Sequence, residues 1–144
     1  MPPLRPILLV EDNANDVELI LSALAKTHLA NEIVVARDGV QALDYLFRRG
    51  PQAGRTTLNP AVILLDLKLP KVDGREVLRQ VRADPELRHI PVVMLTSSRE
   101  EQDLLQTYHL GANAYVVKPV DFKEFIATVH KLGVFWALVN EPPP

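Results

Sequence analysis

The sequence predicts an α/β fold in which helices cover both faces of one doubly wound, five-stranded parallel sheet. Short apolar runs alternate with segments of helical periodicity five times along the chain, which is the pattern of strands joined by right-handed crossover helices. Polar residues directly follow four of the five runs, at the edge where such sheets bind ligands. Without an internal repeat or a linker, we expect one domain over residues 1–144, with a core at 6–132 and an apolar extension at 133–144.

The first half of the chain supplies three predicted strands and two helices. In order, these are a strand at 7–10, a helix capped by Asn13 or Asn15, a strand at 32–36, a helix after Asp38-Gly39 and a strand at 61–65. The first helix carries Val17, Ile20 and Leu24 at the spacing of one buried face. Residues 50–60 form a loop rich in Gly, Pro, Thr and Asn, and this loop is long for a connection between a helix and a strand.

The second half supplies the remaining elements, and their boundaries follow from capping residues and prolines. The order is a helix from Asp73-Gly74 to near Asp84-Pro85, a strand at 90–95, a helix from near Glu100 to Gly111, a strand at 114–117 and a helix capped by Asp121. Aspartate favours a helix start because its side chain accepts a hydrogen bond from a free amide. The residue before a proline disfavours helical geometry, so a helix usually ends there.

The run at 61–65 is the centre of the predicted sheet, because a continuous apolar strand is one that is buried on both faces. It leads directly into Asp66, which therefore lies at the carboxyl end of the strand. Taken alone, Asp66 could equally cap a turn. Other strand ends carry Glu11-Asp12, Thr96 and Lys118, and Asp12 converges with Asp66 if the first and third strands flank the point where the strand order reverses. We therefore expect a functional site at this edge.

The residue types at this edge suit phosphoryl transfer. Clustered carboxylates repel one another unless a cation lies among them, and oxygen ligands without His or Cys favour Mg²⁺. A carboxylate can act as a nucleophile on phosphorus, and the transfer then needs positive charge and donors around the phosphoryl oxygens, which Lys118 and Thr96 would supply. Considered singly, Glu11-Asp12 could cap a helix, Thr96 could lie in a turn and Lys118 could form a surface ion pair. The prediction depends on their coincidence at four strand ends.

The motifs at the strand ends resemble those of CheY-type receiver domains of two-component response regulators. The resemblance runs from about Ile7 to about Leu132 and is carried by Val10-Glu11-Asp12, Leu65-Asp66-Leu67-Lys68-Leu69-Pro70, Asp73-Gly74, Leu95-Thr96-Ser97 and Lys118-Pro119. It implies a flavodoxin/CheY-like (βα)5 sheet with strand order 2-1-3-4-5. It also implies a phosphoacceptor signalling protein, not an enzyme that turns over other substrates.

The same resemblance implies a role for each acidic residue at the site. Asp66 would be the phosphoacceptor. The cofactor would be Mg²⁺, and its ligands would be Glu11, Asp12, Asp66 and the main-chain carbonyl of Lys68. One departure concerns the side chain of Lys68, because this position is often small or neutral in receivers. That side chain could crowd or steer the hydrolytic water and so alter the lifetime of the phosphorylated state.

The resemblance further implies a conformational switch on the last two strands. Thr96 would sense the phosphoryl group and Lys118 would pair with it. Tyr115 occupies the place of the switch aromatic, and it would fill the space that Thr96 leaves on moving toward the phosphoryl group. In receivers the peptide bond before the equivalent of Pro119 is cis, so we expect a cis Lys118-Pro119 bond.

A narrower resemblance links the chain to stand-alone regulators that serve phytochrome-type and other hybrid sensor histidine kinases in bacteria. It is carried by the loop at 50–60, the segment 67–78 and a tail with Phe135-Trp136 and Asn140-Glu141-Pro142. The implied partner is such a kinase or a histidine phosphotransfer protein. About a dozen residues follow the last predicted helix, too few for a DNA-binding domain, so we expect output by conformational change through another protein or by onward phosphotransfer.

Two other functions use similar residues. A phosphatase of the haloacid dehalogenase type also uses Asp, Thr, Lys and Mg²⁺, but it needs a second carboxylate two residues after the nucleophile, where this chain has Lys68. The other is a receiver-like interaction module that is never phosphorylated. Such modules usually lack an acidic residue, the Lys or the Thr, and this chain keeps all of them.

Composition argues against several other classes of protein. The chain has no cysteine, and its net charge is −2 with no basic or acidic block, so we expect neither disulfides nor nucleic-acid binding. The sequence shows no secretory signal and no apolar run long enough to span a membrane. We therefore expect a cytoplasmic protein without a membrane partner.

The apolar segment after Gly133 suggests self-association. Because a receiver core is complete before it, this segment would either fold back onto its own domain or cover a second subunit. Left exposed, Phe135, Trp136 and Leu138 would form an apolar patch of the kind found at interfaces. We therefore expect a symmetric homodimer that uses this segment and the Leu104–Tyr108 face of the fourth helix.

Overall fold

The structure, a computed structural model, describes residues 4–106, 110–133 and 137–138, with the main chain alone at 105 and 106. Five strands and five helices alternate along the chain, with one short 3-10 turn at Gly50–Gln52. The strands are β1 (Ile7–Val10), β2 (Ile33–Ala36), β3 (Val62–Asp66), β4 (Val92–Thr96) and β5 (Ala114–Val117). The helices are α1 (Ala14–Ala25), α2 (Gly39–Phe47), α3 (Gly74–Ala83), α4 (Arg99–Gln106) and α5 (Phe122–Lys131).

The strands form one parallel sheet in the order β2-β1-β3-β4-β5, which confirms the predicted fold and strand order. The three central strands are buried along their whole length, as expected of strands with helices on both faces. Since β1 and β3 are neighbours although β2 lies between them in sequence, the strand order reverses there. The carboxyl ends of β1 and β3 therefore flank the crevice in which such sheets place a site.

Two apolar clusters lie on the two faces of the sheet. The first includes Leu8, Val10, Ile63 and Leu65 from the strands with residues of α2 and α3, among them Leu43, Leu46, Val77 and Leu78. The second includes Ile7, Leu9, Val62 and Leu64 with residues of α1 and α5, among them Ile20, Leu24, Phe125 and Val129. Successive strand residues alternate between the clusters, because strand side chains alternate between faces. Each face of the sheet that carries the strand ends is therefore covered by its own apolar cluster.

Side-chain caps fix where the helices begin, and so they fix the loops at the site. Asn13, not Asn15, caps α1, since its side chain accepts a hydrogen bond from the amide of Asp16. Asp38, Asp73 and Asp121 cap α2, α3 and α5 in the same way. These caps confirm the predicted helix starts. The predicted boundaries differ from the observed ones by one residue for β2, β3 and the start of α4, and by two residues at the start of β4, within the usual fraying of element ends.

The long loop before β3 is organised by Arg55. Its guanidinium donates hydrogen bonds to the carbonyls of Tyr45, Thr57 and Leu58, at 2.8 to 3.1 Å, and to the Asn59 side chain at 3.0 Å. It also stacks over the ring of Tyr45, 4.3 Å from the ring centroid. The loop is thus tied to α2 at the amino end of β3, which is the end of the strand opposite Asp66.

The end of the chain corrects one expectation. Leu138 is 5% exposed and packs in the cluster of α1 and α5, with Ala137 against it. The Ala137 carbonyl also accepts a hydrogen bond from the Asn31 side chain, at 3.1 Å. Leu138 therefore covers its own domain, because the second cluster offers it an apolar surface, and it cannot belong to an exposed patch. Phe135, Trp136 and Tyr108 lie outside the described residues.

None of the helices in the described part of the chain is long and apolar enough to cross a membrane.

Candidate functional site

Three carboxylates meet where β1 and β3 end. Glu11 and Asp12 directly follow β1, and Asp66 is the last residue of β3. Val10 is paired with Leu65 across the sheet, so the next residues of the two strands lie side by side. One oxygen from each of the three carboxylates lies within 4.8 Å of the others. The convergence of Asp12 and Asp66 that the sequence suggested is therefore present, with Glu11 beside them.

The three carboxylates differ in their exposure to solvent. Glu11 is completely buried and Asp66 is 6% exposed, whereas Asp12 lies at the surface. Burial and, to a smaller extent, the contact with the Asp66 carboxyl raise the pKa of Glu11 to about 8, against the opposing effect of Lys118. Near neutral pH and without a metal ion, Glu11 therefore holds a proton much of the time, because a second buried negative charge beside Asp66 is unfavourable.

Lys118 places an ammonium group among these acids. It follows β5, and its Nζ lies 3.3 Å from Oδ2 of Asp66, 3.3 Å from Oε1 of Glu11 and 2.9 Å from Oδ2 of Asp16. Burial lowers the pKa of Lys118, but the hydrogen bond to Asp16 and the charges of Asp66 and Glu11 outweigh it and raise the pKa. The ammonium thus stays charged and offsets part of the negative charge of the cluster.

Asp16 is a member of the site that the sequence analysis missed. It lies in the first turn of α1, and its hydrogen bond from Lys118 lowers the pKa of its carboxyl group. One signal in the sequence was its position three residues after Asn13, the spacing at which a helix cap fixes the first turn. The partner itself could not be inferred, because Lys118 is 102 residues away.

Thr96 and Tyr115 lie on the neighbouring strands. Thr96 ends β4, is fully buried, and makes long hydrogen bonds from its hydroxyl to the carbonyls of Ser98 at 3.4 Å and Val116 at 3.5 Å. Tyr115 lies on β5, packs against the cluster of α2 and α3, and is half-buried, which raises the pKa of its hydroxyl. The two hydrogen bonds described for the Thr96 hydroxyl thus go to main-chain carbonyls and not to Asp66.

Lys68 lies in the loop between β3 and α3, two residues after Asp66. With Asp12, Leu67 and others it lines an open cavity of about 420 Å³ beside the acidic cluster. Its ammonium lies outside the cluster, 3.5 Å from the carboxylate of Glu101 in the first turn of α4. The resemblance to receivers had pointed to the carbonyl and the unusual side chain of Lys68, whereas no feature of the sequence pointed to Glu101.

Gly74 allows α3 to pack directly against the main chain at the end of β3. A Cβ atom at this position would lie 2.3 Å from the carbonyl oxygen of Asp66 and 2.9 Å from the main chain of Leu67. Both distances are shorter than the contacts that Cβ atoms make with non-bonded atoms. The amide of Gly74 donates a hydrogen bond to the carbonyl of Leu67, at 2.9 Å. On the other side of the cluster, the peptide bond between Lys118 and Pro119 is cis.

The donor set fits a hard divalent cation. The cluster offers carboxylate oxygens, with no cysteine in the chain, and its exposed side at Asp12 leaves room for water ligands. Mg²⁺ prefers such oxygen ligands and keeps several of its waters. The raised pKa of Glu11 also favours a cation at this site, because a divalent ion would relieve the repulsion between carboxylates that keeps a proton on Glu11.

Comparison with known proteins matches most of the chain to one protein family. The family model of the response regulator receiver domain matches residues 7–130. The response regulator Rcp1 of Synechocystis sp. is 39% identical over 134 residues, which are 93% of this chain and 90% of Rcp1.

Solved structures with the same architecture include three regulators. The bacteriophytochrome response regulator AtBRR is 66% identical with a TM-score of 0.90, and the match covers 97% of this chain and 100% of AtBRR. The Mn(2+)-bound form of Rcp1 is 37% identical with a TM-score of 0.72, over 97% of this chain and 99% of Rcp1. The phosphorylated cyanobacterial phytochrome response regulator RcpA is 42% identical with a TM-score of 0.73, over 92% and 94% of the two chains.

Proposed function

The chain belongs to the response regulator receiver family, and on that basis we propose that it receives a phosphoryl group from a sensor histidine kinase onto Asp66. The observation that carries the proposal is the ammonium of Lys118 lying 3.3 Å from Asp66, inside a cluster of three carboxylates. Proteins of this family transmit signals, and nothing in the chain points to turnover of another substrate. The site would therefore support its own phosphorylation and dephosphorylation.

In the proposed reaction an Asp66 carboxylate oxygen attacks the phosphorus atom of a phosphohistidine. The bond from phosphorus to oxygen forms as the bond from phosphorus to the imidazole nitrogen breaks. The imidazole takes the electron pair of that bond and a proton from solvent water. The product is an acyl phosphate on Asp66. Because the attacking group must be ionised, the charge of Lys118 supports the reaction by favouring the carboxylate form of Asp66.

We propose Mg²⁺ as the cofactor, bound by Glu11, Asp12, Asp66 and the main-chain carbonyl of Lys68. When bound, the ion supplies positive charge to the phosphoryl oxygens as negative charge develops on them. The structure of Rcp1 was solved with Mn(2+) bound, which supports a divalent ion in this family. Glu11 would bind the ion from the buried side of the cluster, whereas Asp12 is exposed to solvent.

We propose that phosphorylation changes the conformation of the protein surface through Thr96, Lys118 and Tyr115. Lys118 already lies beside Asp66 and would bind a phosphoryl oxygen. Among the described residues, the Thr96 hydroxyl donates long hydrogen bonds to two carbonyls, so little is lost if it turns toward the phosphoryl group. Tyr115 on the adjacent strand would then move inward and change the surface of α4, β5 and α5.

The partner is proposed to be a phytochrome-type sensor histidine kinase or a histidine phosphotransfer protein in the cytoplasm. The support is the name of AtBRR, a bacteriophytochrome response regulator with which the chain shares 66% of its residues. On the same ground we propose that the chain acts as a stand-alone regulator. Its output would be a conformational change read by another protein, or onward phosphotransfer.

A homodimer through the α4 face is also proposed, although Leu138 no longer supports it. Leu104 on α4 is 55% exposed and would be buried in an interface on this face. Light scattering with and without phosphorylation would test this, with Leu104→Asp expected to shift a dimer toward monomer. A full-length protein that is monomeric at high concentration in both states would contradict the dimer.

Phosphotransfer from an autophosphorylated sensor kinase tests the proposed function. Labelled phosphate should move from the kinase to the chain when Mg²⁺ is present, and chelation of the metal should prevent the transfer. Asp12→Ala, which removes an exposed ligand, should slow the transfer strongly without unfolding the protein. A chain that accepts no label from any histidine phosphodonor would instead be an interaction module that is not phosphorylated.

A further inference from the structure

The Glu101 carboxylate joins two loops at the site. It lies in the first turn of α4 and accepts hydrogen bonds from the amide of Ser97 at 3.0 Å and from the hydroxyl of Ser97 at 3.3 Å. The amide of Glu101 in turn donates to the hydroxyl of Ser98, at 3.1 Å. Glu101 is thus a capping residue of α4, and it fixes the two residues that follow Thr96.

The same carboxylate also attracts Lys68 from the loop after β3. The Nζ of Lys68 lies 3.5 Å from Oε2 of Glu101. The side chain of Glu101 is 17% exposed and that of Lys68 is 77% exposed. Glu101 is therefore held in place by Ser97, whereas Lys68 is a long, solvated side chain with one long ion pair. Such a pair is weak and easily exchanged.

Phosphorylation of Asp66 would place a second anion two residues before Lys68 in the chain. Lys68 also lines the same open cavity as Asp12. An acyl phosphate on Asp66 would carry more negative charge than the carboxylate of Glu101, on oxygens that favour cationic donors. The ammonium of Lys68, at the end of a flexible side chain, could then bind either the Glu101 carboxylate or the phosphoryl group on Asp66.

We propose that Glu101 is a positioning residue that withholds Lys68 from the phosphoryl group on Asp66, so that Lys68 exchanges between the two anions. The inference rests on the proposed phosphorylation of Asp66. When Asp66 is unmodified, Lys68 binds Glu101 and ties the loop after β3 to α4. When Asp66 carries a phosphoryl group, Lys68 moves to it and releases the first turn of α4. This route to α4 uses charge and is separate from the Thr96 hydroxyl.

Linkage gives the direction of the effect of each substitution. Because Glu101 competes for Lys68, removing its charge should strengthen the binding of an anion at Asp66, and removing Lys68 should weaken it. Glu101→Gln keeps an acceptor for Ser97, so the cap of α4 survives. The ion pair is exposed on the lysine side, so we expect a tightening of about two- to fivefold.

Beryllofluoride, an analogue of the phosphoryl group that stays bound without hydrolysis, is a suitable probe. Its affinity in the presence of Mg²⁺ would be measured by fluorine NMR titration of the full chain, with circular dichroism melting to verify the fold. Glu101→Gln should bind it two- to fivefold more tightly than the wild type, by about the energy of one surface ion pair. Lys68→Met should bind it more weakly. In the Lys68→Met background, Glu101→Gln should have no further effect.

Glu100→Gln is the matched control, since Glu100 lies in the same first turn of α4 and loses the same charge. Equal affinities in Glu100→Gln and Glu101→Gln would overturn the inference. So would a tightening by Glu101→Gln that persists without Lys68, because Glu101 would then act through its charge alone. Failure of the wild type to bind beryllofluoride at all would instead refute the proposed function, which distinguishes the two failures.

Discussion

The ammonium of Lys118 lies 3.3 Å from a carboxylate oxygen of Asp66, across the carboxyl end of β4. The same ammonium contacts Glu11 and Asp16, so one cation from β5 holds together acidic groups from β1, α1 and β3. The site therefore keeps a positive charge beside Asp66, where a phosphoryl group on this residue would lie.

Lys118→Met should destabilise the metal-free protein by about 2 kcal/mol, less than the loss of a partner in a fully buried pair because Lys118 keeps some exposure. Asp66 and Asp16 would lose the cation that offsets their charge, and millimolar Mg²⁺ should recover part of the stability. Urea unfolding with and without Mg²⁺ measures both effects. Lys123→Met, at an exposed position on α5, is the control, and equal losses in the two variants would contradict the role given to Lys118.

The pH dependence should follow Glu11, whose pKa is raised from 4.5 to about 8 by burial and by Asp66. When the pKa of a carboxyl group is higher in the folded state, its contribution to stability is complete at a pH below the pKa of the same group in the unfolded chain. This contribution is lost as the pH rises toward 8. Without metal, the free energy of unfolding should therefore fall between about pH 5 and about pH 8. The affinity for Mg²⁺ should rise over the same interval, because the ion displaces a proton. Calorimetric titration would measure the affinity for Mg²⁺ at each pH. Glu11→Gln should flatten the pH dependence of both this affinity and the free energy of unfolding. Profiles in Glu11→Gln as steep as in the wild type would assign the titration to another group.

Gly74→Ala should both destabilise the fold and impair the site. The added Cβ would lie 2.3 Å from the Asp66 carbonyl oxygen. Because the main chain of α3 and that of β3 are both packed and cannot move apart freely, we expect the free energy of unfolding to fall by about 1–3 kcal/mol. Displacement of Asp66 should also weaken binding of Mg²⁺. Gly54→Ala is the control, since no atom lies within 4 Å of its added Cβ, and it should change stability by less than about 0.5 kcal/mol. Similar melting temperatures for the two variants would show that α3 can move away from β3.

The sequence was sufficient for the features that depend on local patterns. The strand at 61–65 was recognisable because a buried central strand is continuously apolar, and Asp38, Asp73 and Asp121 were recognisable as caps because their carboxylates precede helical periodicity. The convergence of Glu11, Asp12 and Asp66 followed from the topology, which places the ends of β1 and β3 side by side.

Long-range side-chain contacts could not be predicted in the same way. The contact between Asp16 and Lys118, the ion pair of Lys68 with Glu101 and the packing of Leu138 join residues that are far apart in the chain. No periodicity encodes such contacts, since they depend on how α1, α4 and the chain end are placed around the sheet. Leu138 was expected to contribute to a subunit interface because a receiver core looks complete without it, but an apolar surface beside α1 and α5 accommodates it.

The central claim is that Asp66 is the phosphoacceptor, and intact mass spectrometry tests it most directly. The purified chain would be incubated with Mg²⁺ and a small phosphodonor, beside Asp66→Asn, which is nearly isosteric and removes the nucleophile. The wild type should gain the mass of one phosphoryl group, and the gain should disappear when Mg²⁺ is chelated. Asp66→Asn should stay at its own mass and keep a folded melting profile. A phosphoryl gain in Asp66→Asn at the wild-type rate would contradict the assignment, as would a wild type that gains no mass under any phosphodonor.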